Sequence, residues 1–477
     1  MSSGSTAGAD PVLRRIAEYV TRHRITSKPA YEIARYCLLD ALACALQALE
    51  HPECTKLLGP VVPRATLPNG ARVPGTRFRL DPLKAAFDIG AAIRWLDYND
   101  AWFAAEGGHP SDNLGAILAV SDYVSRNGAA RGGRGLTVRD VLTALIKAYE
   151  IQGVLQIENS LVGVGLDSTG FVNIASTAVA TRLLGGTREQ IVNALSNAWL
   201  DGVSPRMFRI GHDTGWRKSW ASGDATRRGV THAMLAVLGE MGYPRALSAP
   251  RWGFCDALLR GRPIVIARPL DTYIVENILF KVPFPAQFHT QTAIECALKL
   301  RPLIGSRWNE VKAVRIRTHK RTLQTADKKG RLSNAADRDH CLQYILAVVL
   351  LKGRLEANDY RDRVAADRRI DRLRARMVVT EDKGFTRDFY DARKRANANA
   401  IQIEFRDGSK TPEIRVDYPL GHPRRRSEGL PLVEEKFRSS VTRHFSRRRA
   451  QRILALCADP GRLMSVPVKV FMDLFAV

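Results

Sequence analysis

The sequence predicts a mainly α protein: a large all-helical domain, a smaller α+β domain and a helical return. Three observations carry that expectation. From Asp10 to Met241, apolar residues recur at helical spacing between caps and glycine stops, with no period-two run of any length. The texture changes near Pro269, and Val311 to Arg317 and Ile401 to Tyr418 alternate apolar with polar residues, as strands with one wet face do. Helical spacing then resumes at Pro431. The expected division is therefore 1–267 helical, 268–418 α+β, and 419–477 helices packing back on the first domain.

Asp10 and Pro11 open the first helix as cap and first residue, with Val12, Ile16 and Val20 on one face. Tyr31 to Leu49 is apolar nearly all round, so it reads as a buried helix with Cys37 and Cys44 on one face. Thr55 to Arg79, rich in Pro and Gly, reads as irregular. Leu83 to Ile93 is a buried helix. Pro110 disfavours helix at His109, and Ser111 is the expected N-cap of Leu114 to Val124, which Asn127-Gly128 stops. Ala129 to Gly135 reads as an exposed loop. Thr137-x-x-Asp140 and Thr187-x-x-Gln190 are capping boxes, the second opening a helix that ends at Gly202. Val172 to Leu184 lies between them, closed by Gly185-Gly186. After a loop rich in Arg and Gly, helix is expected again over Ala225 to Met241. Further on, Arg406 to Ser409 turns a hairpin, and Gln291 to Leu300 and Cys341 to Leu351 are helices laid on the sheet. In the tail, Pro431 to His444 and Arg447 to Cys457 read as helix, followed by a last apolar piece ending Phe471-Met472-Asp473-Leu474.

The sequence excludes several classes. The seven Cys are scattered singly with no C-x-x-C pair, which argues against a zinc site, a disulfide framework or an iron–sulfur centre. Met1 to Ala7 lacks the apolar stretch of a secretion signal, and no apolar run reaches membrane-spanning length. A soluble cytoplasmic protein is expected, or one of the mitochondrial matrix in a eukaryote, with no membrane partner. The patterns of P-loop nucleotide hydrolases, elbow-type serine hydrolases and zincins are missing. The net charge of +25 favours anionic partners. A basic nucleic-acid-binding protein is thus the reading of another class, but no nucleic-acid module accompanies the charge.

The densest chemistry lies in Arg94 to Asn113, which gathers Arg94, Asp97, Asp100, Glu106, His109 and Asp112 around a helix start. Helix starts offer free N–H groups and a positive dipole end to a carboxylate, so Ser111 is a candidate anion seat with His109 beside it. The plain alternative is a capped surface turn with a solvated His. Lys218 sits between Trp216 and Trp220, where partial desolvation would suit it to acid–base work or carboxylate binding. Lys281 and His289 are the ionisable members of a rigid Pro-rich stretch, which also fits a domain linker. His340 and Tyr344 are spaced to share one helix face.

These blocks resemble the MmgE/PrpD family. The likeness rests on Arg94 to Asp100 (RWLDYND), Gly108 to Asn113 (GHPSDN), Arg217 to Thr226 (RKSWASGDAT), Leu279 to Ala286 (LFKVPFPA), Ala336 to Tyr344 (ADRDHCLQY) and Tyr418 to Arg426 (YPLGHPRRR), and covers about residues 10–477. It implies a helical domain built from both chain ends, a smaller α+β lid domain and a homodimer. It implies chemistry on a small tricarboxylate with no cofactor and no metal, closest to the branch that dehydrates 2-methylcitrate in propionate catabolism. Decarboxylation of cis-aconitate is the alternative within the family. By motif matching, its catalytic residues fall on Asp97, His109, Lys218 and Lys281. Arg94, Ser111, His289, His340 and Tyr344 become the candidate substrate-binding set. His109 and Lys218 are the candidate base and acid, with Asp97 orienting or charging His109, and which of the two takes the proton stays open in the sequence. Ala101, Gly107 and Ser168 depart from the branch's expected Thr, Trp and His, a pattern that a catalytically weakened member would also show.

Overall fold

The computed structural model describes residues 8–128, 135–201, 203–210 and 214–477. The expected loop after Gly128 (apart from Gly135) and the expected helix stop at Gly202 lie outside them. The protein is mainly α with a smaller sheet-bearing part. Buried apolar side chains form two main clusters. The larger draws on residues 9–282 and again on 433–475, so both ends of the chain share one core. The smaller draws on residues 284–416.

Three helices, Pro82–Arg94, Thr169–Leu183 and Arg217–Val237, form the centre of the larger part. Pro82–Arg94 and Arg217–Val237 cross with almost no side chain between them. A Cβ built on Gly223 would lie 2.3 Å from the Phe87 carbonyl oxygen, and one on Gly90 would lie 2.9 Å from the Gly223 Cα. This contact explains one departure from expectation. The predicted Ala225 start is wrong, and the helix begins at Arg217, eight residues earlier. Packing overrides the low helix propensity of the Ser-Gly-Asp stretch.

The sheet has the strand order Met377–Glu381, Val311–Thr318, Asn399–Phe405, Ile414–Val416. The first pair is parallel and the other two are antiparallel, the last being the expected hairpin. Val314, Ile316 and Thr318 are buried while Arg315 is exposed, as alternation requires, and a register shift between Val311 and Ala313 lets Val311 be buried as well. Helices Gln291–Ile304 and Leu342–Lys352 pack together, the former also on the sheet. The edge strand Met377–Glu381 was not expected, because both its faces are largely wet and its alternation is weak.

Other corrections are local. Asp10 does not cap its own helix, since its carboxylate accepts from Leu247 N at 2.7 Å. The Thr55 to Arg79 stretch holds a two-residue strand, Ala71–Arg72, paired with Arg79–Leu80. The helix expected from Pro431 starts at Arg426. His340 and Tyr344 do not share a helix face, because His340 lies in the turn before Leu342–Lys352. Ser111 is not an N-cap: it sits inside a 3-10 turn, Pro110–Asn113, that precedes the helix Leu114–Asn127. Among the described residues no helix is long and apolar enough to cross a membrane.

Candidate active site

The chain leaves helix Pro82–Arg94 through Asp97, whose φ of +49° is left-handed. A non-glycine residue there costs roughly 1–2 kcal/mol, so the surrounding contacts must enforce it. Trp102–Phe103 then pairs with Gly107–Gly108 in a minimal hairpin that returns the chain and sets His109 beside Asp100. A second tie comes from afar. Ala101 and Leu279 exchange both backbone hydrogen bonds, at 2.7 and 3.0 Å, which carries Lys281 to Asp97.

Asp97 is the hub. Its Oδ1 accepts from Arg94 Nη1 and, at 2.7 Å, from Lys281 Nζ, which also reaches its carbonyl oxygen at 2.7 Å. His340 Nε2 stands 3.5 Å from its Oδ2. Burial pushes the Asp97 carboxyl up, but Arg94 and Lys281 outweigh it and hold the group well below the usual carboxylate range. Lys281, fully buried, is pushed down to about 8 by burial, with Asp97 opposing.

His109 takes a defined tautomer. Its Nδ1 lies 2.5 Å from the Asp100 carbonyl oxygen, an acceptor only, so Nδ1 carries the proton. Nε2 is then the bare nitrogen, and it accepts from Arg94 Nη2 at 2.8 Å. Burial, then Arg94 and Lys281, push His109 well below its ordinary value, so it is neutral at pH 7. Asp97 was expected to orient His109, but it lies 3.8 Å from Nε2. Arg94 and the Asp100 carbonyl hold the ring instead.

Lys218 stands in the first turn of its helix, 1% exposed, and donates to both oxygens of Asp339 at 2.8 Å. Burial lowers it while Asp339 and Asp97 act against that. His340 contacts the same Asp339 carboxylate and lies 3.2 Å from Lys218 Nζ. Burial and Lys218 bring His340 down to about 4. Of the two flanking aromatics, Trp216 stacks on Trp95 at 5.0 Å, while Trp220 lies against Phe87 and under Arg217.

Arg94, Asp97, His109, Lys218, Lys281 and His340 line one cleft of about 460 Å³. His289 also borders it, but is 1% exposed, with Nδ1 3.3 Å from Asn397 Oδ1 and its ring against Phe103, Phe288, His319 and Phe389. Two expected members are not at the site. Tyr344 points elsewhere and donates to the Asp359 carbonyl oxygen at 2.7 Å. Ser111 N and Oγ both donate to Asp100 Oδ1, at 3.2 and 2.7 Å, so the chain's own carboxylate fills the expected anion seat. Burial, partly offset by Tyr149 and Ser111, lifts Asp100 to about 7. Of the three departing positions, Gly107 and Ser168 line the cleft, while Ala101 is buried in its bridge to Leu279.

Sequence reasoning missed Asp339, although it stands next to His340 in a block already singled out. It also missed Arg206 and Arg209, which line the cleft and share the buried Asp167 at 3.1 and 2.6 Å. Their only signal was an Arg-rich loop. Among the described residues, no group of three His, Cys, Asp or Glu is placed to hold a metal ion.

The family model for the MmgE/PrpD N-terminal domain matches residues 14–267, and that for the C-terminal domain matches 284–459. The chain belongs to the MmgE/PrpD family. Within it, the chain is 54% identical to a 2-methylcitrate dehydratase of Cupriavidus necator over 471 residues, 98% of this chain and 97% of the relative. A 2-methylcitrate dehydratase of Escherichia coli K12 is 53% identical over 465 residues, 97% and 96% of the two chains. A mitochondrial 2-methylcitrate dehydratase of Yarrowia lipolytica is 46% identical, covering 100% of this chain and 92% of its own.

Proposed function

We propose that this MmgE/PrpD protein is a 2-methylcitrate dehydratase, a hydro-lyase that eliminates water from 2-methylcitrate to give 2-methyl-cis-aconitate in propionate breakdown. The observation that carries the reading is the near full-length identity of 53–54% to bacterial relatives bearing that name. The cleft's chemistry supports it.

The reaction removes a proton from the carbon bearing the methyl group and expels hydroxide from the neighbouring tertiary carbon. Both partners need positioned groups, because neither bond breaks readily at neutral pH. The bare Nε2 of neutral His109 suits it to take the proton. Arg94, which occupies that nitrogen in the free protein, turns to an arriving carboxylate and releases it. The buried Lys218 ammonium suits protonation of the leaving hydroxyl, with Asp339 holding it in place. Arg94 and Lys281 offset the charge that develops on the adjacent carboxylate as the proton leaves. In this scheme Asp97 anchors the cations rather than the imidazole. The chain works as a cofactor-independent homodimer, cytoplasmic in a bacterium.

The test is conversion of 2-methylcitrate by the purified protein with no added metal or cofactor, followed by the ultraviolet absorbance of the conjugated alkene. His109→Ala and Lys218→Ala should each lower turnover by about 10²- to 10⁴-fold. Wild-type rates in both variants would overturn the roles assigned here, and carbon dioxide release in place of alkene would overturn the reaction.

A further inference from the structure

The basic side chains lining the cleft are almost all matched with a carboxylate. Arg94 and Lys281 share Asp97, and Lys218 has Asp339. Arg206 and Arg209 share Asp167, and Lys328 has Asp337. The exception is Arg321. It lines the same cleft and is half-buried, yet among the described residues its guanidinium has no ion pair and no hydrogen-bond acceptor.

Its backbone is well anchored. Arg321 follows the strand Val311–Thr318 on a short helix, Lys320–Thr325. On either side of it, His319 Nε2 meets Asn397 Oδ1 at 2.9 Å, and Thr322 Oγ1 accepts from Thr318 Oγ1 at 2.8 Å. Its charge is felt at Glu106 and Arg206, which belong to the helical part, and at His289. Arg321 therefore faces the helical wall from the sheet-bearing side. A planar guanidinium with its donors unspent, in a cleft partly shut from water, fits a carboxylate through two parallel hydrogen bonds.

We propose that Arg321 seats the substrate's third carboxylate, the one on the methylene arm that the elimination leaves untouched. The other two carboxylates are attached to the carbons whose bonds change, so they belong beside His109, among Arg94, Lys218 and Lys281. The third swings on its arm to the wall where a cation is still unmatched. The choice of carboxylate rests on the dehydratase reading. The subsite for a third carboxylate can be tested without it.

The experiment is calorimetric titration of the full chain with propane-1,2,3-tricarboxylate, which cannot lose water, and with succinate, which lacks the third carboxylate. Losing a charge-assisted hydrogen-bonded pair should weaken tricarboxylate binding by about 10- to 100-fold in Arg321→Gln, with Arg321→Lys in between. Succinate binding should change by less than about twofold, which also shows that the variant is folded. In turnover, KM for 2-methylcitrate should rise in Arg321→Gln while kcat stays close to wild type. Equal losses for both ligands, no loss for either, or no tricarboxylate binding by the wild-type chain would each overturn the subsite. Arg321-dependent tricarboxylate binding in a protein that fails to dehydrate 2-methylcitrate would leave the subsite standing and remove the dehydratase reading. Dehydration with no dependence on Arg321 would do the reverse.

Discussion

Replacing Asp97 by Asn keeps the shape of the hub and removes the charge that Arg94 and Lys281 share. Lys281 Nζ lies 2.7 Å from Asp97 Oδ1. At an effective dielectric of about 20 that attraction is about 6 kcal/mol, an upper bound on what is lost. The lysine has an escape, because it can release its proton. Its value of about 8 in the native protein falls further once Asp97 no longer opposes burial. A lysine whose folded-state value lies below its unfolded value of about 10.4 weakens the fold while charged. Stability therefore rises with pH from the folded value to the unfolded one, and in the variant that rise starts lower. Above pH 8 the Lys281 contribution to the difference between the proteins vanishes. Below pH 8 it grows by about 1.4 kcal/mol per pH unit until the variant's own value is reached. Urea denaturation of both proteins at pH 6 and pH 9 should show a larger variant deficit at pH 6, by up to about 2.7 kcal/mol. A pH-independent deficit from Arg94, which keeps its proton throughout, remains beneath it. A deficit that is flat across this range would refute the coupling of Lys281 to Asp97.

Three more outcomes follow from the same contacts. Ser111→Ala should leave KM for 2-methylcitrate unchanged and cost about 1–2 kcal/mol in urea denaturation, since it strips a hydrogen bond from buried Asp100 rather than from substrate. Tyr344→Phe should keep kcat/KM within about twofold and lower stability by about 1 kcal/mol, because its hydroxyl serves the Asp359 carbonyl away from the cleft. The pH profile of kcat/KM should be level from pH 6.5 to 7.5, because His109 is already neutral there, and should fall above about 8 as Lys281 loses its charge. A rise with an apparent value near 6.5 would contradict the buried, neutral imidazole.

The helical body and the hairpin were legible because caps, glycine stops and period-two alternation are local signals. Thr187-x-x-Gln190 is one case, with its box closed in both directions. The cleft's members were legible as residue types in motifs, and Asp97, His109, Lys218, Lys281, Arg94 and His340 do meet. What could not be read was who holds whom. Asp97 and Lys281 are joined by a backbone bridge between Ala101 and Leu279 that no local pattern announces. Ser111 and Tyr344 failed for the same reason. A cap needs the helix to start where propensity suggests, and a shared face needs the helix to be unbroken. Both conditions were settled by tertiary contacts. Arg321 was silent in the sequence because its importance lies in lacking a partner.

The crossing of Pro82–Arg94 and Arg217–Val237 bears on more than packing. One helix ends at Arg94, three residues before Asp97, and the other opens with Lys218 in its first turn. Where the two touch, at Gly90 and Gly223, nothing but main chain separates them. Their separation is thus gauged by the thickness of a peptide backbone, a dimension that no change of side chain elsewhere can alter. Mutational drift through the surrounding oily interior can swap one bulky residue for another and leave that gauge untouched. Divergent members of such a lineage could then trade most of their interior while the reactive ends of both helices keep their distance.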